Sequence, residues 1–202
     1  MDSKLPGKGM DSSSTWEEVL LSSPSYIFLI PISPEFYSNV DNLKDIVSDE
    51  SELQMLISNV FKLPFDSANE SESDEEEEKR ENRYREFYAA VHRRYILTED
   101  GMNHILKRQS SGAFGECPCC RCQYAHLFPA ALSDLFGDDS VKLFCPSCKE
   151  VYNTPSPFNR VDGAYFGSAF IPTLVKEHPE VLLNPGAKYE PRIFGYKIHC
   201  TR

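Results

Sequence analysis

Sulfur carries the densest chemistry in this chain. Cys117-Pro-Cys119-Cys120-Arg-Cys122 is followed, 22 residues later, by Cys145-Pro-Ser-Cys148, which places six of the seven cysteines within residues 117–148. Two short-spaced cysteine clusters flanking a strand-length insert match a zinc ribbon, in which each cluster makes a tight knuckle and four thiolates close a tetrahedron around Zn²⁺. Leu143-Phe144-Cys145-Pro146 adds a strand leading into the second knuckle. The spacing leaves the first knuckle open: Cys117 with Cys122, or Cys117 with Cys120, with Cys119 as a third candidate and His126 as a weaker one. Buried free thiols are the plainer alternative. A closed four-sulfur site has no position for water or substrate, so such a centre is structural and not catalytic.

Other residues could bind without reacting. Phe194 and Tyr196, in Arg192-Ile-Phe-Gly-Tyr-Lys197, fall two apart and on one face of an expected strand or hairpin. Aromatic pairs of this kind either anchor a partner or fold back on their own domain. Residues 70–81 hold eight acids, among them Asp74, Glu75, Glu76, Glu77 and Glu78, against Lys79 and Arg80. Such a run is ordinarily a solvated loop, and its functional version is a polyanionic site for Lys/Arg-rich ligands. Ser14, Ser71 and Ser73 each have an acid three residues downstream, the pattern an acidophilic kinase would modify. Asp162-Gly-Ala-Tyr-Phe-Gly167 lacks the lysine and glycine spacing of a phosphate loop and is expected to be a turn against the ribbon. The five histidines pair with no nucleophile, and His92 is expected to pack or hydrogen-bond.

The elements that must position these groups change texture along the chain. Residues 1–15 are Gly/Ser/Lys-rich and expected to be a disordered leader. Tyr26–Ile32 is apolar, β-branched and aromatic, which predicts an extended segment. Ser33-Pro34-Glu35 reads as a helix start. Leu53, Leu56, Ile57, Val60 and Phe61 recur at helical spacing and must stop before Pro64. An acidic loop is expected over 66–82, then a helix carrying Tyr84, Phe87, Tyr88, Val91 and Tyr95, then another capped by Thr98. Past Gly112 and Gly115 come short strand-like pieces, Val141–Phe144, Glu150–Tyr152 and Tyr165–Phe166. The fold class expected is α+β: a helical domain over 16–113, a four-cysteine ribbon with a small antiparallel sheet over 114–160, and an extended docking segment over 161–202.

Net charge narrows the partners. The chain carries −10, of which residues 70–81 supply −6, so the remainder is close to balanced. The ribbon's Lys142, Lys149 and Arg121 face Asp134, Asp138, Asp139 and Glu150. That is no basic stripe, so direct nucleic-acid binding is disfavoured, although a zinc-ribbon transcription factor is the alternative of a different class. The longest apolar run falls far short of the ~20 residues a spanning helix needs. The leader has no positive region or cleavage site, so an intracellular protein of cytoplasm and nucleus, free of the membrane, is expected.

Four motifs in order then carry a resemblance: His92-Arg-Arg-Tyr-Ile-Leu-Thr98, Gly112-Ala-Phe-Gly-Glu-Cys-Pro118, Val141-Lys-Leu-Phe-Cys-Pro-Ser-Cys148, and Asp162–Gly167 with Pro191–His199. Together they resemble the regulatory (beta) subunit of casein kinase II. The resemblance is strong over about 84–199 and thinner over 16–65. It implies a non-catalytic subunit whose single structural zinc is held by Cys117, Cys122, Cys145 and Cys148. It also implies a homodimer formed through the zinc module and carrying two catalytic (alpha) subunits, whose stability, activity and substrate choice it modulates. Phe194 and Tyr196 take the place of the aromatic pair that anchors the catalytic subunit, with Tyr and Phe exchanged in order. The acidic segment corresponds to one that meets polyamines and basic peptides. The bound kinase could phosphorylate Ser14, Ser71 and Ser73. The sequence stops at Arg202, so a shorter tail than the family's is expected.

Overall fold

A computed structural model of the chain describes residues 13–65, 73–119, 122–182 and 192–198. Helix α1 (Trp16–Ser22) begins at a reciprocal cap: Thr15 Oγ accepts from the Glu18 amide, and Glu18 Oε2 accepts from the Thr15 amide at 2.8 Å. Ser14 and Thr15 are already held, since the Phe65 amide donates to the Ser14 carbonyl at 2.8 Å and Thr15 bridges Pro64. The last residues of the expected leader, Ser14 and Thr15, are therefore part of the fold, and residues 1–12 lie outside the described residues.

The apolar stretch after α1 is not a strand. Pro24–Tyr26 forms a 3₁₀ turn, and residues 27–33 then run as an irregular strap that opens on a turn at 27–28. Its backbone groups find side chains in place of a neighbouring strand. The Ile30 amide donates to His92 Nε2 at 3.2 Å and the Ile32 amide to Glu17 Oε1 at 2.9 Å. The Ile30 carbonyl accepts from Tyr88 at 3.1 Å, the Leu29 carbonyl from Arg108 at 2.6 Å, and the Ile27 carbonyl also from Arg108. Buried backbone must be paired somewhere, and here the partners come from distant helices.

Ser33 caps α2 (Pro34–Ser38), as its sequence predicts. Helix α3 (Glu50–Ile57) continues as a π-helical turn, Ser58–Lys62, and buries all five apolar residues of the expected stripe. Helix α4 (Asp74–Tyr95) corrects the acidic loop expected over 66–82. From Asp74 onward the run is helix, and only 66–72 lie outside the described residues. The physical reason is local: Ser73 and Glu76 form a capping box, and acids in the first turn complement the helix dipole. Helix α5 (Glu99–Ser110) starts at the Thr98 cap, as expected. Gly101 lets the two helices meet, because a Cβ there would stand 2.2 Å from the Tyr95 carbonyl oxygen.

The second half holds an antiparallel sheet in the order β1 (Phe128–Ala130), β2 (Lys142–Phe144) and β3 (Val151–Asn153). Its register sets Phe144 opposite Phe128 on one side and Leu143 opposite Tyr152 on the other. Two strands were legible in the sequence and β1 was not. Tyr165–Phe166, expected as a strand, is a 3₁₀ turn with its following residue: Asp162 accepts from the Ala164 amide at 2.8 Å and locks Gly163–Tyr165. Tyr165, Phe166 and Phe170, the last opening α6 (Phe170–Glu177), are buried with Tyr88 and His92 of α4, so both halves share one core. A two-stranded hairpin, β4 (Arg192–Ile193) and β5 (Tyr196–Lys197), completes the described residues. Among these residues no helix is long and apolar enough to cross a membrane.

Candidate metal centre

The ribbon sheet delivers its cysteines from two tight turns. Cys145 leaves β2 with its amide donating to the Glu150 carbonyl at 3.0 Å, while Lys149 returns the bond to Cys145 at 2.9 Å with a positive φ of 62°. The turn thus brings Cys148 back beside Cys145. On the first knuckle, the Cys117 amide donates to Ala125 at 2.8 Å and the Cys122 amide to Cys119 at 2.9 Å. Gln123 and Tyr124, both at positive φ, reverse the chain between them.

Cys117, Cys122, Cys145 and Cys148 converge, with all four sulfurs within 4.8 Å of one another. The Cys117–Cys148 and Cys122–Cys145 separations are 3.9 and 3.8 Å. A tetrahedron with metal–sulfur bonds of about 2.3 Å has edges of about 3.8 Å, so the sulfurs fit a zinc-sized ion. The alternatives for the first knuckle separate accordingly. Cys119 is half-buried and contributes its amide, 3.4 Å from Cys117 Sγ, while its own sulfur lies outside the four. The His126 ring stands over Gly112 and is not in the cluster. Cys120 and Cys200 lie outside the described residues.

The electrostatics suit metal capture with proton release. Burial pushes the Cys145 thiol well above its ordinary range and Cys122 up to about 11. At Cys148 burial acts in the same sense, but hydrogen bonds from the Tyr152 hydroxyl and the Glu150 amide outweigh it and bring the thiol down to about 7. Metal-free at neutral pH, Cys122 and Cys145 therefore hold their protons, and a soft divalent cation must displace them. Four thiolates fill a tetrahedron, so the centre offers no open coordination position for turnover.

The other sequence-predicted residues sit apart from the sulfurs. Of the strand or hairpin expected over 192–197, the structure forms the hairpin, with Tyr196 on its second strand and Phe194 outside both strands. Phe194 and Gly195 form the hairpin turn itself, with φ of 48° and 85°, the geometry that matches the twist of two-residue hairpins. Both rings remain in solvent, Phe194 97% and Tyr196 80% exposed, flanked by exposed Ile193. Asp74, Glu75, Glu76 and Glu78 are exposed on the first turns of α4, and Glu77 is half-buried. Ser73 is exposed and bonded to Glu76 at 2.9 Å, Ser14 is half-buried, and Ser71 lies outside the described residues.

Three groups, two buried and one half-buried, were missed or only partly read. His92 is fully buried and neutral, its Nδ1 2.8 Å from the Tyr165 carbonyl and its Nε2 accepting from Ile30. Burial lowers its pKa to about 4. Glu17 is buried against Ile32 and Tyr88, and burial raises its carboxyl to about 7. Nothing in the Trp16-Glu17-Glu18 run marks it off from the neighbouring cap residue. Tyr152, beside the sulfurs, could have been suspected only as an aromatic on the strand leaving the second knuckle.

A helical half sharing its core with a ribbon whose four cysteines could hold one metal ion, followed by an exposed aromatic hairpin, defines a ribbon-bearing scaffold. The family described as casein kinase II regulatory subunit matches residues 15–197. The chain belongs to this family, which comprises regulatory and not catalytic subunits. It is 30% identical over 98% of its length to casein kinase II subunit beta' of Saccharomyces cerevisiae, covering 79% of that protein. It is 35% identical over 94% of its length to the Schizosaccharomyces pombe beta subunit, covering 81% of it. Against the Dictyostelium discoideum beta subunit it is 34% identical over 82% of its length and covers 64% of that protein.

Proposed function

We propose that the chain is the non-catalytic regulatory subunit of a casein kinase II holoenzyme. It binds one structural Zn²⁺ through Cys117, Cys122, Cys145 and Cys148, pairs with a second copy through the zinc module, and holds two catalytic alpha subunits. The observation that carries the assembly reading is the hairpin: an apolar tip of Ile193, Phe194 and Tyr196 standing in solvent, in a chain of this family. Buried in pockets of a partner, two aromatic rings supply the kind of contact that dominates an interface. Holding only the folded form of a catalytic subunit stabilises it by mass action.

The acidic start of α4 serves as a polyanionic surface for polyamines or basic peptides. Helical geometry keeps Asp74, Glu75 and Glu78 in solvent as a fixed array, which raises the local concentration of basic ligands and weakens with salt. Ser14, Ser71 and Ser73 are the sites the assembled kinase would modify, and Ser73 is presented in solvent at the α4 cap. We place the subunit in cytoplasm and nucleus, without direct nucleic-acid contact. Exchange of both Phe194 and Tyr196 for Ala should abolish capture of the catalytic subunit, read by biolayer interferometry, and leave self-association unchanged. Undiminished capture would remove the hairpin from the interface.

A further inference from the structure

Strand β3 sets Tyr152 across from Leu143 and brings its hydroxyl to the edge of the sulfur cluster. The oxygen lies 3.2 Å from Cys148 Sγ and 3.7 Å from Cys117 Sγ, so one group reaches a sulfur of each knuckle. A metal-bound thiolate has no proton, which makes the hydroxyl the donor in the loaded centre. The remaining donors are mostly backbone: the Cys119 amide on Cys117, the Glu150 amide on Cys148, and the Ser147 and Cys148 amides on Cys145, with the Ser147 side chain on Cys122. Tyr152 differs from these in spanning both knuckles.

The same ring has a second side. An apolar cleft of about 640 Å³ opens between the ribbon and the helical half, walled by Phe28, Phe114, Leu143, Phe158 and Tyr152. Tyr152 therefore stands between this cleft and the sulfurs.

We propose that Tyr152 is a positioning residue of the metal centre. Its single hydroxyl proton goes to Cys148, the nearer sulfur, with Cys117 as the longer second acceptor, so that it draws charge chiefly from one knuckle while lying against the other. Its ring screens both from the cleft. This rests on the reading of the four cysteines as a zinc site. Four thiolates bring excess negative charge to one divalent cation, and outer donors that spread this charge retain the ion. Losing such a partner typically costs about 10–100-fold in metal affinity.

The test loads the full chain with Zn²⁺ or Co²⁺ and follows transfer to a chromophoric chelator. Tyr152→Phe keeps the ring and removes the donor. It should release zinc about 10-fold faster and shift the sulfur-to-cobalt charge-transfer band, which a purely packing role would not move. Tyr152→Ala, which also opens the cleft side, should release faster still. A ring-fluorinated tyrosine at 152, a stronger donor of nearly the same size, should slow release, and this keeps the idea testable even if Tyr152→Phe fails to fold. Equal release and an unshifted band in Tyr152→Phe, or no slowing with the fluorinated ring, would overturn the proposal. Failure of the unaltered chain to retain either metal would overturn the zinc reading and this inference with it.

Discussion

The strap over residues 27–33 and the turns that carry Cys117, Cys122, Cys145 and Cys148 are irregular backbone packed against one core, and they are held in opposite ways. The knuckles converge on four sulfurs from two short runs of sequence, and local turns pay most of the geometric cost. The strap is held by Glu17, Tyr88, His92 and Arg108, side chains scattered over three helices and 15 to 81 residues distant. A ligand set close in sequence fails as a unit when one member is lost. A dispersed set should fail piecemeal, and its two buried titrating members, His92 and Glu17, should impose pH dependences of opposite sign.

The largest effect is expected from the knuckles. Cys145→Ser removes a fully buried ligand, and metal content should drop from one ion per chain to none. The binding energy of a structural zinc is about 10–16 kcal/mol in small zinc domains, so amide protection across β1–β3 should collapse in hydrogen exchange. Retained zinc and retained protection would put the ion elsewhere.

Next comes the strap. His92→Ala strands the Ile30 amide and the Tyr165 carbonyl and leaves a cavity between α4, the strap and the 163–165 turn. Chemical denaturation should report a loss of about 3–5 kcal/mol. A loss below 1 kcal/mol would mean that these groups find other partners.

The pH prediction separates the two buried titrating groups. His92 has its folded pKa depressed to about 4, so its contribution is present above about 6.5 and is lost as pH falls through 4. Glu17 is raised to about 7, so its contribution is present below about 4.5 and is lost as pH rises through 7. Between these limits the two slopes oppose each other and nearly cancel. Glu17→Gln removes one of them, so the variant should gain about 3 kcal/mol on the unaltered chain between pH 4.5 and 7.5, by urea denaturation at each pH. A difference independent of pH would mean that Glu17 is not the buried proton carrier.

The smallest change should be Ser73→Ala. The cap is exposed and its loss is worth about 1 kcal/mol, seen as fraying of the first turn of α4 and not as global unfolding. No change in exchange at residues 74–77 would show that the acids hold the turn without it.

The same contrast explains what could be read in advance. The two cysteine clusters, the Thr98 and Ser33 caps, the α3 stripe and strands β2 and β3 are encoded in spacings of a few residues, whereas spacing alone did not say which sulfurs of the first cluster converge. The strap could be read only as an extended segment, because its partners His92, Glu17 and Arg108 are set by tertiary contact and by nothing in its own composition. The acidic run was misread because charge was weighed above the Ser73–Glu76 capping box, which was present in the sequence. The hairpin around Gly195 was legible as one of two readings, a strand or a hairpin, but alternation alone did not show that Phe194 sits in the turn. Strand β1 is three residues containing Pro129, and only its pairing with β2 makes it a strand. Glu17 and Tyr152 were illegible because neither burial nor proximity to sulfur follows from neighbours in sequence.

The central claim is that a zinc-held ribbon joins two copies of this chain and presents their hairpins to catalytic subunits. Sedimentation-velocity analysis of the zinc-loaded chain, alone and mixed with casein kinase II catalytic subunit, with and without a zinc chelator, tests it most directly. The account predicts a dimer that becomes a four-chain complex, with both species lost when zinc is withdrawn. A monomer, or a dimer that ignores both the chelator and the catalytic subunit, would contradict it.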